Sequence, residues 1–276
     1  MRQIKVTRRA PVWLDAQAPL AEWYATRLGQ SILEDLDSVL APRLGDVFGY
    51  QGLQIGNPVP ERSLLSGAGL QRLLVIDAPS RAHLGADITA DVTALPVASD
   101  SVKALLFFHT LDFCAEPHQA LREADRVLTD DGHLLIVGFN PASAFGLRHV
   151  ATGWRDRTPW NGQFWSRRRV AEWLSVLDYR VLGSTPLFVR PPIDSSRLLR
   201  RLKRMEQWSP LVGSLGGLYV IQARKQTVPM TMSRRQWLTA RTGVRVSASS
   251  GSFAGAAGRR AAGVVNLDSF RRRKPT

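Results

Sequence analysis

The sequence holds a single cysteine, Cys114, in 276 residues. An intramolecular disulfide needs two cysteines and a cysteine-based zinc site needs more, so both are excluded. Long apolar runs are missing as well. The best, Leu105–Phe108 and Leu134–Phe139, fall far short of the roughly 20 residues that cross a bilayer. The N-terminus, MRQIKVTRRAPVW, is basic but lacks the apolar centre of a secretory signal. With nothing addressing the chain elsewhere, a cytoplasmic protein is expected. Acidic residues are scarce at one end only. From Arg224 to Thr276 there are twelve Lys or Arg and one acid, Asp268, a net +11, while the remaining 223 residues carry 25 basic and 22 acidic groups. The formal charge of +14 therefore belongs to the tail. Its interior, SASSGSFAGAAGRRAAGVV, offers little from which to build a core, so residues 227–276 are expected to be mostly disordered. Such a tail attracts nucleic acid or an anionic membrane without specificity, or it serves as a solubilising extension with no dedicated partner. Composition leaves both readings open.

The rest of the chain alternates strand and helix patterns. Leu20, Trp23, Tyr24, Leu28, Ile32, Leu36, Val39 and Leu40 recur at steps of three and four, which predicts one helix that ends at Pro42. Short apolar strands are expected at Gly52–Gly56, at Leu73–Ile76 stopping at Asp77, and near Ala86–Ala90 stopping at Asp91. Val102–Phe108 reads as a strand buried on both faces, as parallel sheets require. A helix over His118–Leu128 with Pro117 at its entry, a turn at Asp130–Gly132 and a buried strand over His133–Phe139 follow. Further helices are expected at Ser143–Val150, from the N-cap Ser166, and at Ser195–Trp208, with strands at Arg180–Phe188 and Leu218–Ala223. This alternation predicts an α/β fold, a doubly wound and mostly parallel sheet with helices on both faces. Three segments result: residues 1–44 as an N-terminal extension with its helix, 45–226 as the domain, and 227–276 as the tail.

In such a sheet ligands bind at the carboxyl ends of the strands. Four residues stand there. Gly56 ends strand one and lets the backbone turn sharply beside a ligand. Asp77 ends strand two, 21 residues further on, the spacing at which an acid accepts hydrogen bonds from a ribose. Asp91 ends strand three, where a carboxylate can accept from an adenine amino group. His109 follows strand four, where the reacting end of a cofactor lies. Each has an ordinary alternative: a glycine turn, a capping aspartate, a histidine with one satisfied nitrogen. Their joint placement at one edge argues for a ligand.

The longest signal runs from Asp91 through Leu95-Pro96, Asp100-Ser101, His109, Glu116-Pro117, Leu121-Arg122-Glu123 and Arg126-Val127-Leu128 to Gly132 and the strand beyond it. This stretch, about residues 90 to 141, closely resembles the methyltransferase type 11 branch of the class I S-adenosylmethionine-dependent methyltransferases. The resemblance is looser over 50 to 225 and does not reach the ends. It implies a Rossmann-like seven-stranded sheet, S-adenosyl-L-methionine as cofactor, and transfer of its methyl group to an unidentified acceptor. It also implies that Asp91 and Val92 hold the adenine and that the loop His109–Leu111 passes the methionine part. The loop at Gly56 and Asn57 would approach the amino-acid end. One departure stands out. The family's loop reads Gly-x-Gly-x-Gly, whereas this chain reads Gly56-Asn57-Pro58-Val59-Pro60, and proline fixes φ and removes a donor. The loop must follow another path, which bears on affinity and activity more than on the fold. The missing glycines also argue against a nicotinamide dehydrogenase, which needs them for its pyrophosphate.

If the acceptor carries a proton that must leave, His109 is the expected general base, with Asp112 and His118 behind it. Asn140, after strand five, either orients the acceptor or starts the next turn. The insert from Trp154 to Trp165 lies where acceptor lids are added to this fold. Arg167–Arg169 oppose a helix dipole, which an anionic partner or plain solvation accounts for. The basic helix Ser195–Trp208 either touches RNA or membrane, or packs through its leucines. A second reading comes from another class: a protein that keeps the fold, has lost catalysis, and binds nucleic acid or another anionic partner through its tail.

Overall fold

The computed structural model describes residues 13–57, 59, 63–77, 86–152, 158–192 and 215–226. The prolines at 58 and 60, residues 154–157 of the tryptophan-rich insert, the basic stretch 195–208 and the tail from 227 onward lie outside the described residues.

The elements run α1 (Trp13–Tyr24), α2 (Arg27–Leu44), β1 (Phe48–Ile55), β2 (Gly69–Asp77), β3 (Ile88–Thr89), β4 (Val102–Phe108), α3 (Thr110–Phe113), α4 (Pro117–Val127), β5 (Leu128–Phe139), α5 (Ala144–Thr152), α6 (Arg167–Val176), β6 (Tyr179–Leu187) and β7 (Leu218–Lys225). The strands form one seven-stranded sheet in the order β3-β2-β1-β4-β5-β7-β6. β1 pairs in parallel with β2 and β4, and β4 with β5, while β7 runs antiparallel between β5 and β6. This is the Rossmann-like sheet expected of class I methyltransferases, with strand order reversing between β1 and β4.

The alternation of side chains along β4 explains the layering. Leu105 and Phe107 enter one apolar cluster, together with Leu121 and Ala124 of α4 and Val170 and Leu174 of α6. Leu106 and Phe108 enter the opposite cluster, with Leu20 and Tyr24 of α1, Ile32 and Leu36 of α2, and Phe145 of α5. Both faces of the central strands are therefore covered, which is why their sequences are apolar without interruption.

Three expectations need correction. The single N-terminal helix is two helices. Thr26 caps α2, its Oγ1 accepting the Gly29 N–H at 3.2 Å, and Gln30 Nε2 donates to the Tyr24 carbonyl at the end of α1. The corner is tight: a Cβ on Gly29 would stand 2.4 Å from the Tyr24 Cα. Nor does Pro42 end α2, which continues to Leu44, because a proline in the last turn displaces little. The expected turn at Asp130–Gly132 sits inside the β5 ladder as an irregularity. Asp131 takes φ 67°, and the pairing with β4 jumps from Val102–Leu128 to Ala104–His133.

Candidate functional site

The carboxyl ends of β1, β2, β3 and β4 make one rim. Gly56 N–H donates to the Ile76 carbonyl at 3.0 Å, Ala90 N–H to that of Asp77 at 3.4 Å, and His109 N–H to that of Val137 at 3.0 Å. Gly56, Asp77, Asp91 and His109 are thus brought to neighbouring strand ends, though their side chains face different ways. Gly56 has φ +90°, and a Cβ there would stand 2.8 Å from the Phe108 carbonyl, so no other residue fits without a shift. Asp77 is buried. The exposed Asp91 accepts the Thr93 N–H at 2.9 Å, and the turn it closes sends Val92 into the core beside Ile76 and Leu111.

His109 is fully buried in the left-handed region, with φ 51°. Its Nε2 lies 2.7 Å from the Tyr24 hydroxyl and its Nδ1 2.8 Å from Asp112 Oδ2. The same Asp112 oxygen accepts the Phe139 N–H at 3.1 Å, and the imidazole stacks on the Phe139 ring at 4.0 Å. With Asp112 Oδ2 already accepting the Phe139 N–H, an Nδ1–H tautomer receiving the Tyr24 O–H at Nε2 satisfies the chain. Burial lowers the imidazole pKa to about 3 and raises that of the Asp112 carboxyl, the Phe139 N–H opposing the latter. Asp112 Oδ1 is buried and has no hydrogen-bond partner among the described residues. His109 therefore presents no free nitrogen to the rim, and at neutral pH it is a poor proton acceptor. The expected base becomes a buried link between α1 and the turn after β4. Thr110 and Leu111 complete that turn. Thr110 Oγ1 donates to the Ile55 carbonyl at 3.2 Å, and the carbonyl of buried Leu111 accepts the Trp165 indole N–H at 3.0 Å.

Sequence reasoning passed over Gln54. Buried in β1, its Nε2 donates to the Gly56 carbonyl at 3.0 Å, while its Oε1 accepts the Ser63 hydroxyl at 2.9 Å and the Leu64 N–H at 2.7 Å. One amide thus ties both ends of the loop that replaces the glycine-rich one. Asn57 is buried at the start of that loop. A polar residue in the apolar run GLQIG was the available signal. Two others, both on α1, carry no motif: Tyr24, one member of the helical apolar stripe, and Trp13, which precedes that stripe. Trp13 Cη2 and Gln17 Oε1 stand 3.2 and 3.4 Å from where a Gly56 Cβ would be.

The motif shared by the loop before β4 and by α4 has a mechanical role. Arg126 donates to the carbonyls of Leu95 and Val97, at 3.0 and 2.9 Å, and to Glu123 at 2.8 Å, while Glu123 accepts the Leu95 N–H. The loop that carries Val92 and Leu95 is pinned to the helix in this way. Asn140 fastens backbone too. Its Nδ2 donates to the Gly216 carbonyl at 2.8 Å and its Oδ1 accepts the Ala142 N–H at 3.1 Å, so this amide holds the turn after β5 against the approach to β7.

Residues 75–136 match the family model described as a methyltransferase domain. The chain is 34% identical over 212 residues to the uncharacterized protein YafS of Escherichia coli (strain K12), a match that spans 76% of this chain and 83% of that protein. The chain belongs to the class I S-adenosylmethionine-dependent methyltransferases. Solved structures agree on the fold. An S-adenosylmethionine-dependent methyltransferase from Thermotoga maritima superposes with a TM-score of 0.55 at 16% identity, over 70% of this chain and 89% of that one. The [4+2]-cyclase SpnF superposes with a TM-score of 0.51, also at 16% identity, over 79% of this chain and 97% of that one. A cyclase on the same fold means that the fold alone does not fix the reaction.

Proposed function

We propose that the rim binds S-adenosylmethionine and that the protein transfers its methyl group to a nucleophilic acceptor. The observation that carries this reading is the buried carboxylate of Asp77 beside a glycine with φ +90°, at the reversal of strand order in a methyltransferase sheet. The residues present fit the cofactor. Asp77 accepts from two ribose hydroxyls, Val92 and Leu111 offer apolar sides to adenine, and Asp91 stands at the outer end for the adenine amino group. The backbone at Gly56 and Asn57 approaches the amino-acid end.

When bound, the cofactor supplies a sulfonium methyl that is already activated. The chain's own task is then alignment in a water-poor site, which supplies up to roughly 7–11 kcal/mol of barrier reduction. His109 serves that task by holding. Through Tyr24 and Asp112 it fixes α1 and the Thr110–Phe113 turn against the ends of β4 and β5. Thermal melting with S-adenosylmethionine tests the reading. Ligand at 100 times its Kd adds about 2.7 kcal/mol of stability, which is seen as a raised Tm that Asp77→Ala abolishes. An unmoved Tm at millimolar ligand contradicts it.

A further inference from the structure

Helix α1 does not lie on one face of the sheet. Ala16, in its first half, and Leu20 and Tyr24, in its second, belong to the cluster shared with α2. Trp13, at its start, belongs to the opposite cluster, with Ile55, Ile76, Val92 and Leu111. The helix therefore crosses the carboxyl rim, and Trp13 and Gln17, one turn apart on one face, are the side chains it sets down over Gly56. The walls assigned above to the cofactor are covered: Asp77 and Val92 are 1% exposed and Leu111 2%. A hollow open to a nucleoside leaves its walls exposed. The indole is a flat bicycle of purine size, it is 4% exposed, and its N–H meets no partner among the described residues. Pro19 sits between the two halves of the helix. A proline there donates no hydrogen bond to the preceding turn, which makes residues 13–18 the part that swings most easily. The second half stays latched by the Tyr24 hydroxyl on His109.

We propose that the first half of α1 is a lid: the Trp13 indole closes the rim at Gly56, and it swings out about Pro19 to admit the cofactor. This rests on the reading of the rim as an S-adenosylmethionine site. A closed lid lowers apparent affinity by the fraction of molecules that are open, so removing the indole strengthens binding and stiffening the hinge weakens it.

The test is calorimetric titration of the full chain with S-adenosylhomocysteine, together with amide exchange at residues 56–57 without ligand. If about one molecule in ten is open, Trp13→Ala binds roughly tenfold more tightly than wild type and Pro19→Ala several-fold more weakly. Trp13→Phe, which conserves packing, falls between wild type and Trp13→Ala. Exchange at 56–57 quickens in Trp13→Ala. Weaker or unchanged binding by Trp13→Ala makes the indole a wall of the site and overturns the lid. Absence of binding by wild type and variants alike at millimolar ligand defeats the cofactor reading instead. Exchange then decides the lid, quickened exchange supporting a cover over this rim and unchanged exchange overturning it.

Discussion

Tyr24→Phe removes one oxygen and leaves the rest of the ring in place. The ring keeps its edge contact with Trp23 at 4.9 Å and its contact with Phe108 at 5.1 Å, so the packing term is conserved. What is lost is the partner of His109 Nε2, 2.7 Å away in a fully buried site. A buried acceptor left unpaired costs about 1–3 kcal/mol, and removing the phenol's own desolvation returns part of that. A net loss of about 1–2 kcal/mol is expected, or a Tm lower by about 2–8 °C at this domain size. Urea unfolding at pH 7 measures it, with an unchanged m-value showing that the same surface is exposed. Tyr50→Phe is the control, since Tyr50 is 65% exposed and ought to cost nothing. Amide exchange adds a local readout: residues 13–24 should exchange faster in Tyr24→Phe while the α4 amides are unchanged. A loss below about 0.5 kcal/mol, within the range of ordinary surface substitutions, refutes the idea that this bond latches α1 to the rim.

Three further predictions follow from the same geometry. Burial lowers the His109 pKa to about 3, so its imidazole stays neutral well below the ordinary value of 6.5, and its NMR shifts are constant from pH 8 to pH 5; a midpoint near 6.5 contradicts the assignment. Gly56→Ala forces a Cβ to 2.8 Å from the Phe108 carbonyl at φ +90° and should destabilise by about 2 kcal/mol or more in urea, whereas a cost near zero means the loop has another way out. Gln54→Leu removes the three hydrogen bonds that close the loop after β1, and an expected cost of about 2–3 kcal/mol comes with faster exchange at Leu64; protection at Leu64 equal to wild type counts against the tie.

Much of this was legible in the sequence because it is local. β4 appears with its expected bounds since both faces are buried and no polar residue interrupts it beyond Lys103. The rim residues Gly56, Asp77 and Asp91 follow from where apolar runs stop. Ser166 caps α6 as expected, accepting the Arg169 N–H at 3.3 Å. What stayed hidden depends on distant partners or on competing local signals. The helical period runs unbroken from Leu20 to Leu40, and only the Thr26 side chain and the absent Cβ of Gly29 make the corner. His109 was recognised by position, but its partner Tyr24 lies 85 residues earlier in the chain and looked like one more member of an apolar stripe. Asn140 stood at the right edge for an acceptor, yet its amide is spent on Gly216 and Ala142. The loop prolines warned of an unusual path after β1, while Gln54, which closes that path, carried no motif.

A crystal structure of the full chain with S-adenosylhomocysteine tests the central claim most directly. The account requires ribose hydroxyls on the Asp77 carboxylate, adenine between Val92 and Leu111, and the indole of Trp13 displaced from Gly56. A nucleoside bound anywhere else, or a rim still closed by Trp13 at saturating ligand, contradicts it.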